Sequence, residues 1–426
     1  MTICAPATAS GGALGIIRIS GPEAISATDA IFQPRSGQPL TARPSYSLIF
    51  GNIMDGDVVL DEVMVSLFRA PHSYTGEDSV EISCHGSSYI LQRALELLMM
   101  HGCRMAEPGE YTRRAFLSGK MDLSQAEAVA DLIASQTAAS HRIAMQQMRG
   151  GYSARLRELR AELLQMTSLL ELELDFSEED VEFADRIQLT NLAENIQTEI
   201  STLTHSFHYG NAFKNGIPVA IVGAPNVGKS TLLNRLLRDD RAIVSDIRGT
   251  TRDLIEDTIV LKGVLFRFID TAGIRSTEDT IERMGIERSI MAASKAQIII
   301  LLTEPGVPYP NIAVREDQTI IRRINKTPDF QALTGFGIEA LEHELLAAAP
   351  IGNDQTLLVT NQRHYEALVL AHADVNRALD ALRANLPVDL VAEDLRQCLA
   401  HIGCILGEFT TDEVLVNIFS HFCIGK

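Results

Sequence analysis

Hydrophobic and polar positions follow a strand-type pattern over the first part of the chain. Between residues 1 and 118, short apolar runs alternate with turn residues, which predicts β-strands. The predicted strands cover 15–20, 58–69 and 79–83. Met-Asp-Gly-Asp at 54–57 predicts a hairpin turn, and apolar residues at helical spacing over 88–100 predict an amphipathic helix. We therefore expect an α+β domain here.

A helical period replaces this pattern from about residue 121. Apolar residues recur at helix spacing over 123–148 and 155–174, with a break at Gly150-Gly151. After an acidic connector at 175–185, a further helix runs to about residue 207. Residues 210–216 then resemble a linker.

Helical spacing returns at about Asn361 and is interrupted at Leu386-Pro387 and at Gly407. The simplest interpretation is an α/β domain inserted into an α-helical domain, although two separate helical domains fit the sequence almost as well. The predicted domains are 1–118 (α+β), 119–215 (first helical part), 216–350 (inserted α/β domain) and 351–426 (second helical part, ending in a Cys-containing tail).

The inserted segment contains a phosphate-binding motif. Gly223 to Ser230 reads Gly-Ala-Pro-Asn-Val-Gly-Lys-Ser and fits G-x-x-x-x-G-K-[ST]. A buried strand is predicted before it at 217–222, and a helix start after it at 231–237. In such a loop, glycines turn backbone N–H groups toward phosphates, Lys229 reaches the outer phosphates and Ser230 holds Mg²⁺. The helix N-terminus adds partial positive charge, so a nucleoside triphosphate site is expected.

Two further elements follow at the spacing expected of successive strand–loop units. A strand predicted at 264–269 leads into Asp270-Thr271-Ala272-Gly273, where Asp270 reaches Mg²⁺ through water and the Gly273 N–H senses a γ-phosphate. Between the two motifs, residues 249–253 predict a switch loop in which Thr251 completes the Mg²⁺ shell. Together the three elements indicate a GTPase.

The group that orients the attacking water is not the usual one. Many GTPases place a Gln directly after D-x-x-G, but here that residue is Ile274, which is apolar. Hydrolysis is then very slow, or other groups polarise the water. A bound monovalent cation held by Asn226 is a further possibility. The nearby charged candidates are Arg275, Glu278, Asp279 and Glu282.

The region expected to recognise the guanine base departs from the usual motif. Asn325-Lys326 resembles the start of the guanine-specifying N-K-x-D, but Asp329 comes one position late. Gln331-Ala332-Leu333 stands where a base-contacting loop is expected. Too few residues separate the two for the helix that a full domain places there. The guanine-specifying contacts therefore stay open.

Composition and charge narrow the classes of protein. The chain has 426 residues and a net charge of −18, whereas proteins that bind nucleic acid over their whole surface lean basic. No apolar run is long enough to span a membrane, and the first residues lack the basic segment of a secretory signal. The 6 cysteines show no metal-type pairing, which favours reduced thiols in a cytosol.

Several separate stretches make the chain resemble the MnmE (TrmE) family of tRNA-modification GTPases. The resemblance covers essentially the whole length, and the base-specifying region is its one departure. The stretches are Gly15-Ile16-Ile17-Arg18-Ile19-Ser20-Gly21, Tyr74-Thr75-Gly76-Glu77-Asp78, 109–116 (Gly-Glu-Tyr-Thr-Arg-Arg-Ala-Phe), 122–128 (Asp-Leu-Ser-Gln-Ala-Glu-Ala), the GTPase loops and 422–426 (Phe-Cys-Ile-Gly-Lys).

The resemblance implies a folate-binding N-terminal domain, a helical domain and an inserted GTPase domain that needs Mg²⁺ and is stimulated by K⁺. It further implies a cytoplasmic homodimer that works with the FAD-containing flavoprotein MnmG (GidA). The pair would add an aminomethyl or carboxymethylaminomethyl group to position 5 of the wobble uridine of certain tRNAs. The one-carbon unit would come from a 5-formyl- or 5,10-methylene-type tetrahydrofolate. The partner would hold most of the tRNA.

Site residues follow from the resemblance position by position. Glu282 becomes the group that orients the attacking water, through a bridging water. Ser230 and Thr251 become Mg²⁺ ligands, and K⁺ falls to Asn226, Ser245, Ile247 and Thr250. The implied folate ligands are Arg18, Glu81, Lys120 and Lys426. The implied nucleotide contacts are Asn226, Val227, Gly228, Lys229, Ser230, Thr231, Ser245, Asp246, Ile247, Arg248, Gly249, Thr250, Thr251, Asp270, Thr271, Ala272, Gly273, Asn325 and Lys326.

Three interpretations remain for Cys423-Ile424-Gly425-Lys426. The segment is a frayed tail with an incidental Cys, or a prenylation box, whose usual pattern Gly and a final Lys fit poorly. The family instead places it near the folate site with Cys423 as a catalytic residue, through a thiolate that attacks uracil or carries a one-carbon unit.

Two other functions fit the sequence less well. A GTP-dependent switch in ribosome assembly usually carries a basic RNA-binding module, and the sequence shows none. A membrane-linked transport regulator is disfavoured because no spanning segment is predicted. We therefore expect a GTPase of tRNA modification.

Overall fold

A computed structural model describes residues 1–9, 11–175, 186–239, 257–269, 291–349, 357–420 and 422–425. The chain divides into two compact units. The first comprises Met1–Ala130, Gln147–Arg157 and Gly403–Lys426, and the second comprises Asp131–Gln146 and Glu158–Ile402.

The described part of the first unit contains a seven-stranded sheet in the order β3-β4-β5-β6-β2-β1-β7. Its neighbouring strands are antiparallel except that β7 runs parallel to β1. The strands are β1 Ile3–Pro6, β2 Leu14–Ser20, β3 Phe32–Pro34, β4 Ser47–Asp55, β5 Val58–Phe68, β6 Ser79–His85 and β7 Arg104–Met105.

Alternation along these strands separates a buried face from a more open one. In β2, Ile17 and Ile19 enter the core that α2 covers, and Arg18 faces the other side. In register, Arg18 lies opposite Glu81 of β6. The sheet therefore brings together two charged side chains that are 63 positions apart in the sequence.

Helices α1 to α6 lie along the first half of the chain. They are α1 Ala24–Asp29, α2 Ser88–Met100, α3 Glu110–Leu117, α4 Leu123–Ala134, α5 Ala138–Met148 and α6 Gly151–Asp175. A short 3₁₀ helix spans Leu40–Ala42. The predicted helix at 88–100 is confirmed, whereas the single helix predicted over 123–148 is wrong, since Ser135, Gln136 and Thr137 interrupt it. There the Ser140 N–H donates to the Thr137 hydroxyl, a side-chain cap that starts a new helix.

The other helices are α7 Arg186–Asn215, α8 Lys229–Asp239, α9 Ile338–Ala348, α10 Gln362–Arg383, α11 Val388–Leu406 and α12 Asp412–Ser420. Asn361, where helical spacing is predicted to return, is the N-cap of α10, and its side chain accepts from the Arg363 N–H. The predicted interruptions at Leu386-Pro387 and Gly407 separate α10, α11 and α12, as expected. Within the described helices, no segment is both long and apolar enough to cross a bilayer.

The linker predicted at 210–216 is wrong. Helix α7 continues through Gly210 to Asn215, and Gly216 alone, at φ 83°, turns the chain into β8. Packing overrides the helix-breaking tendency of glycine here. A Cβ at Gly210 would lie 2.1 Å from the Val359 carbonyl oxygen, so the glycine permits close approach of the 357–360 segment.

The second unit carries a five-stranded sheet among its described residues, in the order β12-β11-β8-β10-β9. Only β9 is antiparallel, pairing with β10. The two central parallel strands, β8 and β11, are buried along nearly their whole length, as is usual for parallel strands covered on both faces. The strands are β8 Ile217–Val222, β9 Asp257–Leu261, β10 Val264–Phe268, β11 Ile298–Thr303 and β12 Thr319–Ile324. An α+β sheet, a set of helices and an inserted parallel α/β sheet make up the predicted multidomain fold.

Candidate functional site

The phosphate loop has the predicted strand–loop–helix order. Strand β8 ends at Val222, the loop covers 223–228, and α8 begins at Lys229. Both motif glycines sit where a side chain has no room. A Cβ at Gly223 would lie 2.2 Å from the Leu302 carbonyl oxygen, and one at Gly228, whose φ is 101°, would lie 2.3 Å from Asn325 Nδ2.

Lys229 is held inside the loop that precedes it. Its Nζ donates to the carbonyl oxygens of Gly223 (2.9 Å) and Ala224 (2.8 Å). Burial lowers the pKa of the amine. A triphosphate at the helix N-terminus would offer Lys229 anionic oxygens in place of these neutral carbonyls, and a charge-assisted bond is stronger.

The other loop side chains differ in their access to a ligand. Asn226 is exposed at φ 61°, a left-handed conformation that Asn tolerates, whereas Val227 is buried in the sheet core. Ser230 and Thr231 are half-buried in the first turn of α8. A hydroxyl at this position is a hard oxygen donor, which fits Mg²⁺.

Asn325 connects the loop to the base-reading end. It is 5% exposed at the end of β12. Its Nδ2 donates to the Val227 carbonyl oxygen (2.8 Å), and its Oδ1 accepts from the Ala332 N–H (3.0 Å). Both ends of the amide are therefore committed to the protein, and Asn325 supports the site through the backbone of two loops.

The neighbouring residues are more accessible. Lys326 is exposed, adopts φ 62° and pairs with Glu304, which follows β11. Asp329 and Leu333 are also exposed. No helix separates Asn325 from Gln331 in this described stretch. Isolated β-bridges join Thr327 to Phe330 and Gln331 to Phe336 in a tight turn. The guanine-specifying region is therefore shorter here than in a domain that has a helix at this place.

Several predicted site residues lie outside the described residues. They are Ser245, Asp246, Ile247, Arg248, Gly249, Thr250, Thr251, Asp270, Thr271, Ala272, Gly273, Glu282 and Lys426. Their assignments stay predictions. In the described part of the chain, no group of three or more His, Cys, Asp or Glu side chains is arranged to hold a metal ion.

A second polar site lies on the sheet of the first unit. Arg18 donates from Nε (2.9 Å) and Nη2 (2.8 Å) to Glu81 Oε1, and from Nη1 to the Gly425 carbonyl oxygen (3.2 Å). The Arg18 and Glu81 side chains are 18% and 28% exposed, so a ligand can still reach both. The structure thus brings together two of the four predicted folate ligands and the end of the Cys-containing segment.

Two tyrosines that the sequence analysis did not single out frame Arg18. The guanidinium carbon lies 5.6 Å from the Tyr74 ring centroid and 5.7 Å from that of Tyr111. The Tyr111 hydroxyl also donates to the Arg18 carbonyl oxygen (2.7 Å), and that of Tyr74 bonds Thr112 (2.9 Å). Both tyrosines occur in the stretches that carry the family resemblance, and this is the sequence feature that could have identified them as site residues.

Lys120 borders the same loop. Its Nζ donates to the Pro71 carbonyl oxygen (2.8 Å), and its Cγ would lie 3.5 Å from a Cβ at Gly76. Gly76 belongs to the loop that carries Tyr74. Lys120 therefore contacts the loop that supports Arg18, with no bond to Arg18 or Glu81 among the described contacts.

The segment 422–425 packs on the first unit. Phe422 packs against Phe419 with tilted rings, 5.1 Å between centroids, and the Gly109 N–H donates to the Cys423 carbonyl oxygen (3.4 Å). Cys423 is exposed, whereas Gly425 is buried. Within these residues the segment is docked through its backbone, which is not the geometry of a frayed tail.

Comparison with known proteins gives the family relations of the sequence. A model of the MnmE helical domain matches residues 123–423, and a model described as the GTP-binding protein TrmE N-terminus matches residues 2–120. A tRNA modification GTPase MnmE from Bacteroides thetaiotaomicron is 54% identical over 461 aligned residues, covering 100% of this chain and 99% of the relative. One from Parabacteroides distasonis is 51% identical, with 100% of both chains covered.

Among solved structures, a variant of Aquifex aeolicus Era bound to GDP·AlF4⁻ is similar at 24% sequence identity and a TM-score of 0.22. The match covers 37% of this chain and 65% of that chain.

Proposed function

Because this chain belongs to the MnmE (TrmE) family of tRNA modification GTPases, we propose that it hydrolyses GTP in the course of modifying tRNA. The observation that carries the proposal is the full-length similarity together with a phosphate loop of the required strand–loop–helix geometry. A GTPase domain and a separate sheet unit fit an enzyme whose nucleotide chemistry and tRNA chemistry occur at different places.

Within the nucleotide site, Lys229 binds the outer phosphates and the N–H groups of 226–231 surround them. Mg²⁺, which screens the phosphate charge, is held by Ser230 and Thr251. K⁺ is held by Asn226, Ser245, Ile247 and Thr250, in the place where other GTPases use an arginine finger. Glu282 orients the attacking water. The exposed side chain of Asn226 in the loop supports its part of this assignment.

The tRNA chemistry is assigned to the first unit. We propose that a tetrahydrofolate one-carbon donor binds at Arg18 and Glu81, with Lys120 and Lys426 as further cations. A pterin offers N–H donors to a carboxylate such as Glu81, and the glutamate of a folate offers carboxylates to cations. The packing of Arg18 against Glu81 and Gly425 supports a common site that includes the segment of Cys423.

Partners and organisation belong to the same proposal. The protein is a cytoplasmic homodimer formed through domain 1–118, and it acts with the FAD-containing flavoprotein MnmG. Domains 119–215 and 351–426 form one helical domain into which the GTPase domain 216–350 is inserted. The product is an aminomethyl or carboxymethylaminomethyl group at position 5 of the wobble uridine.

A reconstitution experiment tests this function. The protein, MnmG, GTP, a 5,10-methylene-tetrahydrofolate, a wobble-uridine tRNA and an amine donor are incubated in K⁺ buffer, and the nucleosides are analysed by mass spectrometry. The amine donor is ammonium for the aminomethyl group or glycine for the carboxymethylaminomethyl group, because the folate supplies only the carbon. We expect modified uridine only in the complete mixture, and at least tenfold faster GTP turnover in K⁺ than in Na⁺.

Each omitted component serves as a control for one part of the proposal. Modification without folate would reject the one-carbon donor, and modification without MnmG would reject the partner. Equal GTP turnover in Na⁺ and K⁺ would reject the cation site. A complete mixture that modifies no tRNA would contradict the function itself.

A further inference from the structure

Within the first unit, three contacts hold the main chain of segment 422–425, and together we call them the seat. The seat comprises the Gly109 N–H, the Pro6 carbonyl region and the Arg18 guanidinium. Gly109 donates to the Cys423 carbonyl oxygen, and Arg18 donates to that of Gly425. Each contact engages main-chain atoms of the segment, so the exposed side chain of Cys423 is not used in docking.

Glycine is required on both sides of this contact. Gly425 has φ 92°, and a Cβ there would lie 2.2 Å from the Pro6 carbonyl oxygen and 3.1 Å from Ala7 Cα. Gly109 has φ 64°, and a Cβ there would lie 2.8 Å from the Phe419 carbonyl oxygen. Since these neighbours are backbone atoms, they cannot move aside as a flexible side chain would.

Arg18 is itself rigidly held at the seat. Glu81 accepts two of its N–H groups, and the rings of Tyr74 and Tyr111 flank the guanidinium. Tyr111 is fully buried and also anchors the Arg18 backbone. A fixed donor defines where the Gly425 carbonyl must lie, and with it the course of the preceding residues.

We propose that Gly425 is a positioning residue, which holds Cys423 beside the Arg18–Glu81 site by docking the segment in the seat. The inference rests on the proposed function, in which that site binds a folate, and on the role that the family resemblance implies for Cys423 in the tRNA chemistry. Its specific content is that the thiol's place is set by a glycine two residues away.

The test compares the wild type with Gly425→Ala and a matched control, Gly37→Ala. Gly37 also has a positive φ, 74°, but a Cβ there meets nothing within 4 Å. Both changes strain the backbone, and only Gly425→Ala collides with the seat. All three proteins are used as full chains together with MnmG.

We expect Gly425→Ala to lower kcat for tRNA modification at least tenfold, with GTP turnover within twofold of wild type. In wild type, 5-formyltetrahydrofolate should slow iodoacetamide alkylation of Cys423, and this protection should be lost in Gly425→Ala. Hydrogen exchange at 109–117 and 422–425 should accelerate in that variant alone. The control should match the wild type in each measurement.

The outcomes separate the two proposals. If the wild type modifies tRNA and Gly425→Ala has the same kcat and the same protection of Cys423, the positioning role of Gly425 is overturned. Exchange rates at 109–117 that are equal in Gly425→Ala and wild type overturn the seat, whether or not any tRNA is modified. A wild type that modifies no tRNA while its seat responds as expected overturns the proposed function alone.

Discussion

Glu110 is a buried carboxylate that remains charged. Its side chain is 2% exposed, and Arg104 (2.7 Å) and Arg114 (2.9 Å) donate to its oxygens. Burial by itself would raise the pKa of Glu110. Hydrogen bonds from Arg104, from the Glu107 backbone N–H and from Arg114 outweigh it and lower that pKa to about 2. The folded structure around the first turn of α3 therefore stabilises the charged form of the Glu110 carboxylate.

This pKa predicts an acid-sensitive helix. A lowered pKa in the folded state means that the contribution of Glu110 to stability is complete above its usual pKa and is lost as the pH falls toward 2. Glu110→Gln should cost on the order of 2–3 kcal/mol at pH 7, because two arginines lose a charged partner. Hydrogen exchange of 110–117 should accelerate in the variant, and the difference from wild type should shrink between pH 5 and pH 2.

Glu62→Gln is the control for that measurement. The Glu62 side chain is 60% exposed and is 4.0 Å from Arg35, so its loss should leave exchange in α3 unchanged. A difference between Glu110→Gln and wild type that stays constant with pH would show that the charge of Glu110 does not stabilise the helix.

At the scale of single residues, sequence reasoning found the motif positions but not what supports them. Lys229 and Ser230 were predicted from the motif and lie as expected at the start of α8. The Asn325 amide donates to the Val227 carbonyl oxygen and accepts from the Ala332 N–H. These two partners come together only in the folded domain, so the sequence does not predict the bonds. The aromatic rings around Arg18 come from a loop and a helix, and no local periodicity reports such a contact.

At the scale of elements, the strongly patterned segments were predictable. Strand β8 is a short apolar run bounded by Gly216 and Gly223, and its predicted range is the observed one. Helix α7 was predicted too short because Gly210 resembles a breaker. Tertiary packing decides otherwise, since the Phe207 and Tyr365 rings stack at 4.4 Å and the Ser206 hydroxyl accepts from the Val359 N–H at 3.0 Å.

Gly210 can test that explanation. Gly210→Ala improves helix propensity, yet its Cβ would meet the Val359 carbonyl oxygen at 2.1 Å. If contact outweighs propensity, the variant should be destabilised by about 1–3 kcal/mol. Hydrogen exchange of α7 and of 357–361, or the thermal midpoint of the second unit, measures the effect.

Thr202→Ala is the matched change on the same helix, because Thr202 is exposed and, among the described residues, its hydroxyl donates only to the Thr198 carbonyl oxygen. It should leave α7 equally or more stable. If the Gly210→Ala protein is as stable as the Thr202→Ala protein, segment 357–360 moves to accommodate the Cβ at little cost, and the packing explanation is wrong.

At the scale of the whole molecule, net charge bears on how tRNA is held. A charge of −18 repels a polyanion, and the described residues show many arginines already paired with carboxylates. Affinity for tRNA grows with the number of phosphates that free cations neutralise. We therefore expect the partner to supply most of these contacts.

Alone, the protein should bind tRNA with a Kd above about 10 µM at roughly 0.15 M salt, in the weaker half of the range for non-specific binding or beyond it. Fluorescence anisotropy of labelled tRNA at two salt concentrations measures this, and addition of MnmG should lower the Kd at least tenfold. Submicromolar binding by the protein alone, with a steep salt dependence, would instead reveal a basic surface of its own.

The contact between Arg18 and Gly425 joins residues 407 positions apart. On a ribosome that adds about 5–20 residues per second, the sheet of the first unit, which is complete at β7, emerges roughly 16–64 s before Gly425, which completes its polar site. During that interval the N-terminal sheet must persist with Arg18 and Glu81 exposed to the cell. The assembled site thus reports that translation has passed residue 425, and chains released before that residue would carry the nucleotide domain without the completed site.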